Sequence, residues 1–66
     1  MSIWIISQGG VELGRSNAIH ARTAFLLWHS PPPESLGSVA ASIKPDGSCE
    51  ITYNGQVYIV RKGPDA

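Results

Sequence analysis

Sixty-six residues, 42% of them hydrophobic and 15% charged, are too few for two domains and too apolar for a disordered chain. Five Lys/Arg balance five Asp/Glu. The chain therefore lacks the basic field on which nucleic-acid and anionic-membrane binders rely.

Ile3-Trp4-Ile5-Ile6 is β-branched and aromatic, and it predicts a first strand over 3–7. Gln8-Gly9-Gly10 is a turn signal that stops it. Val11-Glu12-Leu13 fits either a short return strand over 11–13 or an extended loop, closed by Gly14. Ser16 or Asn17 can cap a helix over 17–29, because both side chains accept from free backbone N–H groups. Pro31-Pro32-Pro33 ends that helix and stiffens a connector over 30–37. No basic residue flanks the prolines, so they read as a helix stop and spacer rather than an SH3 ligand.

Three strands follow, over 38–44, 48–53 and 56–62. Lys44-Pro45-Asp46-Gly47-Ser48 suits a type I turn ending on a left-handed glycine, and Asn54-Gly55 a two-residue type I′ hairpin. Register follows from the turns. Tyr53 pairs with Gln56, Ile51 with Tyr58 and Cys49 with Val60; Ile43 pairs with Cys49, Ala41 with Ile51 and Val39 with Tyr53. One face then collects Val39, Ala41, Ile43, Cys49, Ile51, Tyr53, Tyr58 and Val60, the expected core. The other collects Ala40, Ser42, Lys44, Ser48, Glu50, Thr52, Val57, Ile59 and Arg61. Ala18, Ala21, Ala24, Phe25 and Trp28 share one helical arc of roughly 120° and would cover the apolar face. The expected architecture is α+β: a small antiparallel sheet in β-α-β-β order with one helix packed on one face.

One helix cannot cover both sides of a sheet. Val57 and Ile59 on the open face, with alternate residues of strand 1, form an apolar patch rimmed by Glu50, Thr52 and Arg61. Ile19, Arg22, Thr23 and Leu26 are expected on the outward side of the helix. Patches of this kind are commonly partner sites. The residues assigned to partner binding are Glu50, Thr52, Val57, Ile59, Arg61, Ile19, Arg22 and Leu26. Burial of the patch in a homodimer is the alternative use of the same surface.

The chemistry of an enzyme is missing. His20 and His29 lie nine apart rather than at the i, i+4 spacing of a metal pair. Cys49 is expected in the core, so no metal or other cofactor is implied. The acidic residues are scattered, with Asp46 in a turn and Asp65 in the tail. No carboxylate pair or Ser/His/Asp set stands ready for acid–base or nucleophilic work. Tyr53 and Tyr58 phase to the helix side, and Glu50 occupies the open face, which opposes nucleic acid. The single cysteine excludes an internal disulfide and points to the reducing cytoplasm. No apolar run is long enough for a membrane span, and no secretion signal is present.

The strand Ile3-Trp4-Ile5-Ile6, the Ala-rich helix, the stretch from Gly37 to Gly47 and the turn Tyr53-Asn54-Gly55-Gln56 form a layout that resembles small β-α-β-β anti-CRISPR proteins of phages and mobile elements. That resemblance covers most of the chain as architecture and few residues as identity. It implies a non-enzymatic inhibitor that binds a Cas subunit of a type I effector complex. Some such proteins act through basic residues on a nucleic-acid channel. This neutral chain departs from that pattern, which favours steric blocking. A nucleic-acid-binding protein, a toxin–antitoxin partner or an accessory subunit of an assembly is the alternative.

Overall fold

Two adjacent glycines decide how the chain begins to fold. In the computed structural model, which describes residues 2–63, Gly9 and Gly10 both take positive φ, 60° and 83°. That closes a two-residue hairpin between β1 (Ser2–Gln8) and β2 (Val11–Ala18). The return segment is therefore a strand of eight residues, longer than either alternative read from Val11-Glu12-Leu13. Ser16 and Asn17, expected to cap the helix, pair instead with Trp4 and Ile3. Ala18 is buried at the end of β2 rather than on the helix.

The helix α1 starts later than expected and runs Ala21–His29. His20 takes the N-cap position with extended φ/ψ and no side-chain cap bond. Ser30 ends the helix in the left-handed region, its N–H donating to the Leu26 carbonyl at 2.8 Å. The proline run then leads into a short 3-10 helix, η1 (Pro33–Ser38), so the connector is not extended throughout. The last three strands are β3 (Ala40–Ile43), β4 (Cys49–Tyr53) and β5 (Gln56–Lys62). Val39 is buried but precedes the ladder. All neighbours are antiparallel, in the order β2-β1-β5-β4-β3. The α+β class holds, but β-β-α-β-β-β replaces the expected β-α-β-β order.

The predicted register of the two C-terminal hairpins is the observed one wherever residues are paired. Asn54 and Gly55 both have positive φ, as a type I′ turn requires. In the other turn, Gly47 is left-handed and the Asp46 carboxylate accepts from Ser48 N–H at 2.9 Å and Ser48 Oγ at 2.7 Å. The Ser48 hydroxyl and backbone bonds hold the Asp46 carboxyl below its ordinary value. A carboxyl lowered in the folded state stabilises above its unfolded pKa, and that contribution is lost as pH falls through the folded value. Asp46→Asn is accordingly expected to melt below wild type at neutral pH. The difference in Tm should close as pH drops below about 4, followed by circular dichroism.

Ile6, Phe25, Val39, Cys49, Ile51, Tyr58 and Val60 form the core, with Trp4, Ala21, Leu26, Trp28 and Tyr53 packed against it. Phe25 is fully buried, with Tyr58 at 5.0 Å and His29 at 5.4 Å between ring centroids. Because only Ile19 and His20 separate β2 from α1, the helix is tied to that edge and packs chiefly on β2. Trp28 crosses β2 where Gly14 has no side chain. A Cβ on Gly14 would run into Trp28 Nε1 and stand 2.6 Å from its Cδ1. Gly14→Ala should cost about 1–3 kcal/mol by overpacking, read as a fall of roughly 4–8 °C in Tm per kcal/mol.

The same tether leaves β3 bare at the opposite edge. Ala41 and Ile43 lie on the helix side as their phase predicts, yet both are exposed, Ile43 to 84%. Their assignment to the core fails because α1 does not reach over them. Leu26 is corrected in the opposite sense, since it packs against the core while Leu27 faces solvent. With the helix beginning at Ala21, three residues later than Ala18, Ile19 belongs to the preceding turn.

Candidate functional site

Strand pleating sorts the exposed residues into two surfaces, one on each side of the sheet. On the side away from α1, cross-strand partners share the face, and the register gives its rows directly. Arg15, Ile5 and Arg61 form one row. Ser7, Ile59, Glu50 and Ser42 form the next, and Val57, Thr52 and Ala40 the one beyond. Strand β1 thus sends Ile3 and Ile5 to this face and Trp4 and Ile6 to the core. Trp4 is held there by its Nε1–H, which donates to the Ala18 carbonyl at 3.0 Å.

Five of the eight predicted site residues, Glu50, Thr52, Val57, Ile59 and Arg61, come together on this open face. Thr52, Val57 and Arg61 are exposed, while Glu50 and Ile59 are half-buried. Ile5 is only 6% exposed although no helix covers it. It lies between two arginines, and Gly63, whose N–H donates to the Ile3 carbonyl at 2.7 Å, places its Cα side within contact of Ile5. Long arginine stems beside an aliphatic side chain exclude water from it while the guanidinium stays wet.

Charges on this face come in near-neutral groups. Arg15 donates from Nε and Nη2 to both oxygens of Glu12, at 3.0 and 3.2 Å. That hydrogen-bonded pair lowers the Glu12 carboxyl and raises the Arg15 guanidinium, and the nearby Arg61 charge lowers Glu12 further. Toward the other edge, Lys44 Nζ lies 3.5 Å from Glu50 Oε2. The result is an aliphatic strip of Ile59 and Val57 between two ion pairs, with no field of one sign. All five aromatic residues of the chain, Trp4, Phe25, Trp28, Tyr53 and Tyr58, belong to the helix side. The open face has no ring on which a base could stack.

Ile19 and Arg22 do not join that group. They line a cleft of about 530 Å³ on the helix side, between the start of α1 and the β3–β4 hairpin. Ala41, Ile43 and Cys49 form its other wall. Leu26, the eighth predicted residue, takes no part in either surface. Sequence reasoning missed Ile43 and Ala41 as surface residues. Their phase was right, and only the short β2–α1 link could have signalled that the helix would not cover them.

Among the described residues, no three of His, Cys, Asp and Glu come close enough to hold a metal ion. His20 stands at the helix start, whereas the His29 ring stacks on Phe25. Cys49 is buried in the sheet wall of the cleft, where desolvation pushes its thiol up and away from the reactive thiolate. No described helix is long and apolar enough to cross a membrane. Comparison with protein-family models, with curated proteins and with solved structures finds no match to this chain.

Proposed function

We propose that this chain is a non-enzymatic, cytoplasmic protein-binding inhibitor that acts by covering a surface of another protein with its open sheet face. One observation carries the reading. A sheet with a single helix presents its second face to solvent, with half-buried Ile59 and 46% exposed Val57 at the centre and charges paired at the margins. An apolar centre with a polar rim is the anatomy of a protein interface. A nucleic-acid-binding face would need a cluster of basic residues and exposed rings, whereas among the described residues Arg61 is the one cation of this face outside an ion pair.

The partner class follows from the resemblance to small anti-CRISPR proteins, which points to a Cas subunit of a type I effector complex. The β-α-β-β layout that suggested it is not the order of this chain, so the choice of a Cas subunit rests on the likeness in size and neutrality alone. The test is capture from lysate of a bacterium carrying active type I systems, with and without nuclease. Stoichiometric Cas subunits that survive nuclease would support the proposal. Recovery of nucleic acid alone, lost on digestion, would replace it with a nucleic-acid-binding role.

A further inference from the structure

The sheet has two edges, and only one of them is protected. At the β2 edge the register shifts beside Ser7, Gly14 interrupts the run of side chains, and Glu12 and Arg15 form an ion pair. Bulges and charges of this kind discourage the addition of another strand. The β3 edge, Ala40-Ala41-Ser42-Ile43, carries no charge, proline or bulge, and all four residues are exposed.

The hydrogen-bond pattern shows what β3 offers. Lys44 N–H donates to the Ser48 carbonyl at 2.8 Å. Bonded and non-bonded pairs alternate along an antiparallel ladder, so Ser42–Glu50 and Ala40–Thr52 carry the bonds to β4. The N–H and C=O groups of Ala41 and Ile43 therefore point outward.

We propose that β3 pairs with β3 of a second copy of this chain, antiparallel about a two-fold axis through Ser42. The two five-stranded sheets would join into one. In that register Ala41 faces Ile43 of the second copy, and the reverse pair is identical by symmetry. Every outward N–H and C=O of both residues then finds a partner. A strand two residues out of register would set Ile43 against Val39, or Ala41 against Pro45, both outside β3.

Side chains agree with the same register. On the helix side, Ile43 of each copy lies against Ala41 of the other, a large residue opposite a small one, at the mouth of the cleft that Ala41 helps to line. On the open side, Ser42 meets its own copy at the axis, and Lys44 meets Ala40. No like charges face one another across the seam, so the edge complements itself in charge as well as in hydrogen bonds. The two open faces become continuous, with Glu50 flanking the axis on both sides. This dimer does not depend on the protein-docking role of the open face, and either can fail alone.

The experiment is sedimentation equilibrium of the full chain from micromolar to millimolar concentration. Wild type is expected to rise from the monomer to twice the monomer mass. Ala41→Pro removes one outward N–H without touching the β3–β4 bonds, and Ile43→Lys replaces an exposed side chain. Both should keep the wild-type circular dichroism and stay monomeric. Ser42→Cys should form a disulfide-linked dimer with oxidised glutathione, because the two thiols meet at the axis, whereas Val57→Cys should not. A monomeric wild type at millimolar concentration would overturn the proposal. So would a dimer that survives both edge variants, or equal cross-linking at positions 42 and 57.

Discussion

Phe25→Ala is expected to abolish cooperative unfolding of this chain. Its ring is fully buried, with Tyr58, His29, Trp28 and Tyr53 at centroid distances of 5.0 to 6.4 Å. Removing a buried phenylalanine costs about 3–5 kcal/mol in lost burial and residual cavity. Folded domains hold roughly 0.05–0.15 kcal/mol per residue, which for 66 residues amounts to about 3–10 kcal/mol. One side chain thus carries a large part of the margin. The neighbours cannot collapse into the gap, because Trp28 is fixed over Gly14 and the two tyrosines are fixed by the β4–β5 ladder. Near- and far-ultraviolet circular dichroism during a thermal ramp reads the effect. A sloping, non-cooperative trace is expected for Phe25→Ala, and a retained transition for Phe25→Leu, which keeps most of the volume. A cooperative melt of the alanine variant within a few degrees of wild type would contradict the assigned core.

Turn chemistry made most of the C-terminal half legible in the sequence. Asn54-Gly55 and the Pro45 turn fix which residues oppose each other, and from that the face of every residue in β4 and β5 follows. The N-terminal half was harder because Gly9-Gly10 permits a tight hairpin without demanding one. Val11 to Ala18 has no alternating apolar pattern, since its outward edge and much of its length are exposed. Its strand character comes from pairing with β1, a non-local energy that local propensity does not contain. That error moved the helix start and with it the positions of Ala18 and Ile19; the packing of Leu26 against the core does not depend on where the helix begins. The open-face residues Glu50, Thr52, Val57, Ile59 and Arg61 were legible because they depend on register alone. The cleft was not, because it depends on where the helix stops covering the sheet.

Placing two positive charges at the centre of the open face separates the proposed docking role from any structural one. Val57 and Ile59 sit on β5 with side chains away from the core, and neither belongs to the buried cluster. Lysine stems can lie along the same aliphatic surface while their ammonium groups remain solvated. The double variant Val57→Lys, Ile59→Lys should therefore fold as wild type does. At a docked interface the same charges would be desolvated without partners, and unpaired buried charge costs several kcal/mol. A loss of affinity of about 100-fold or more follows, since each 1.4 kcal/mol is a factor of ten.

The most direct measurement is calorimetric titration of the Cas subunit proposed as partner with wild type and with this double variant, each verified as folded by its melting curve. The open-face account predicts binding by wild type and no detectable heat from a variant whose Tm is nearly unchanged. Equal affinity of the two folded proteins would contradict it and place the docking surface elsewhere on the chain.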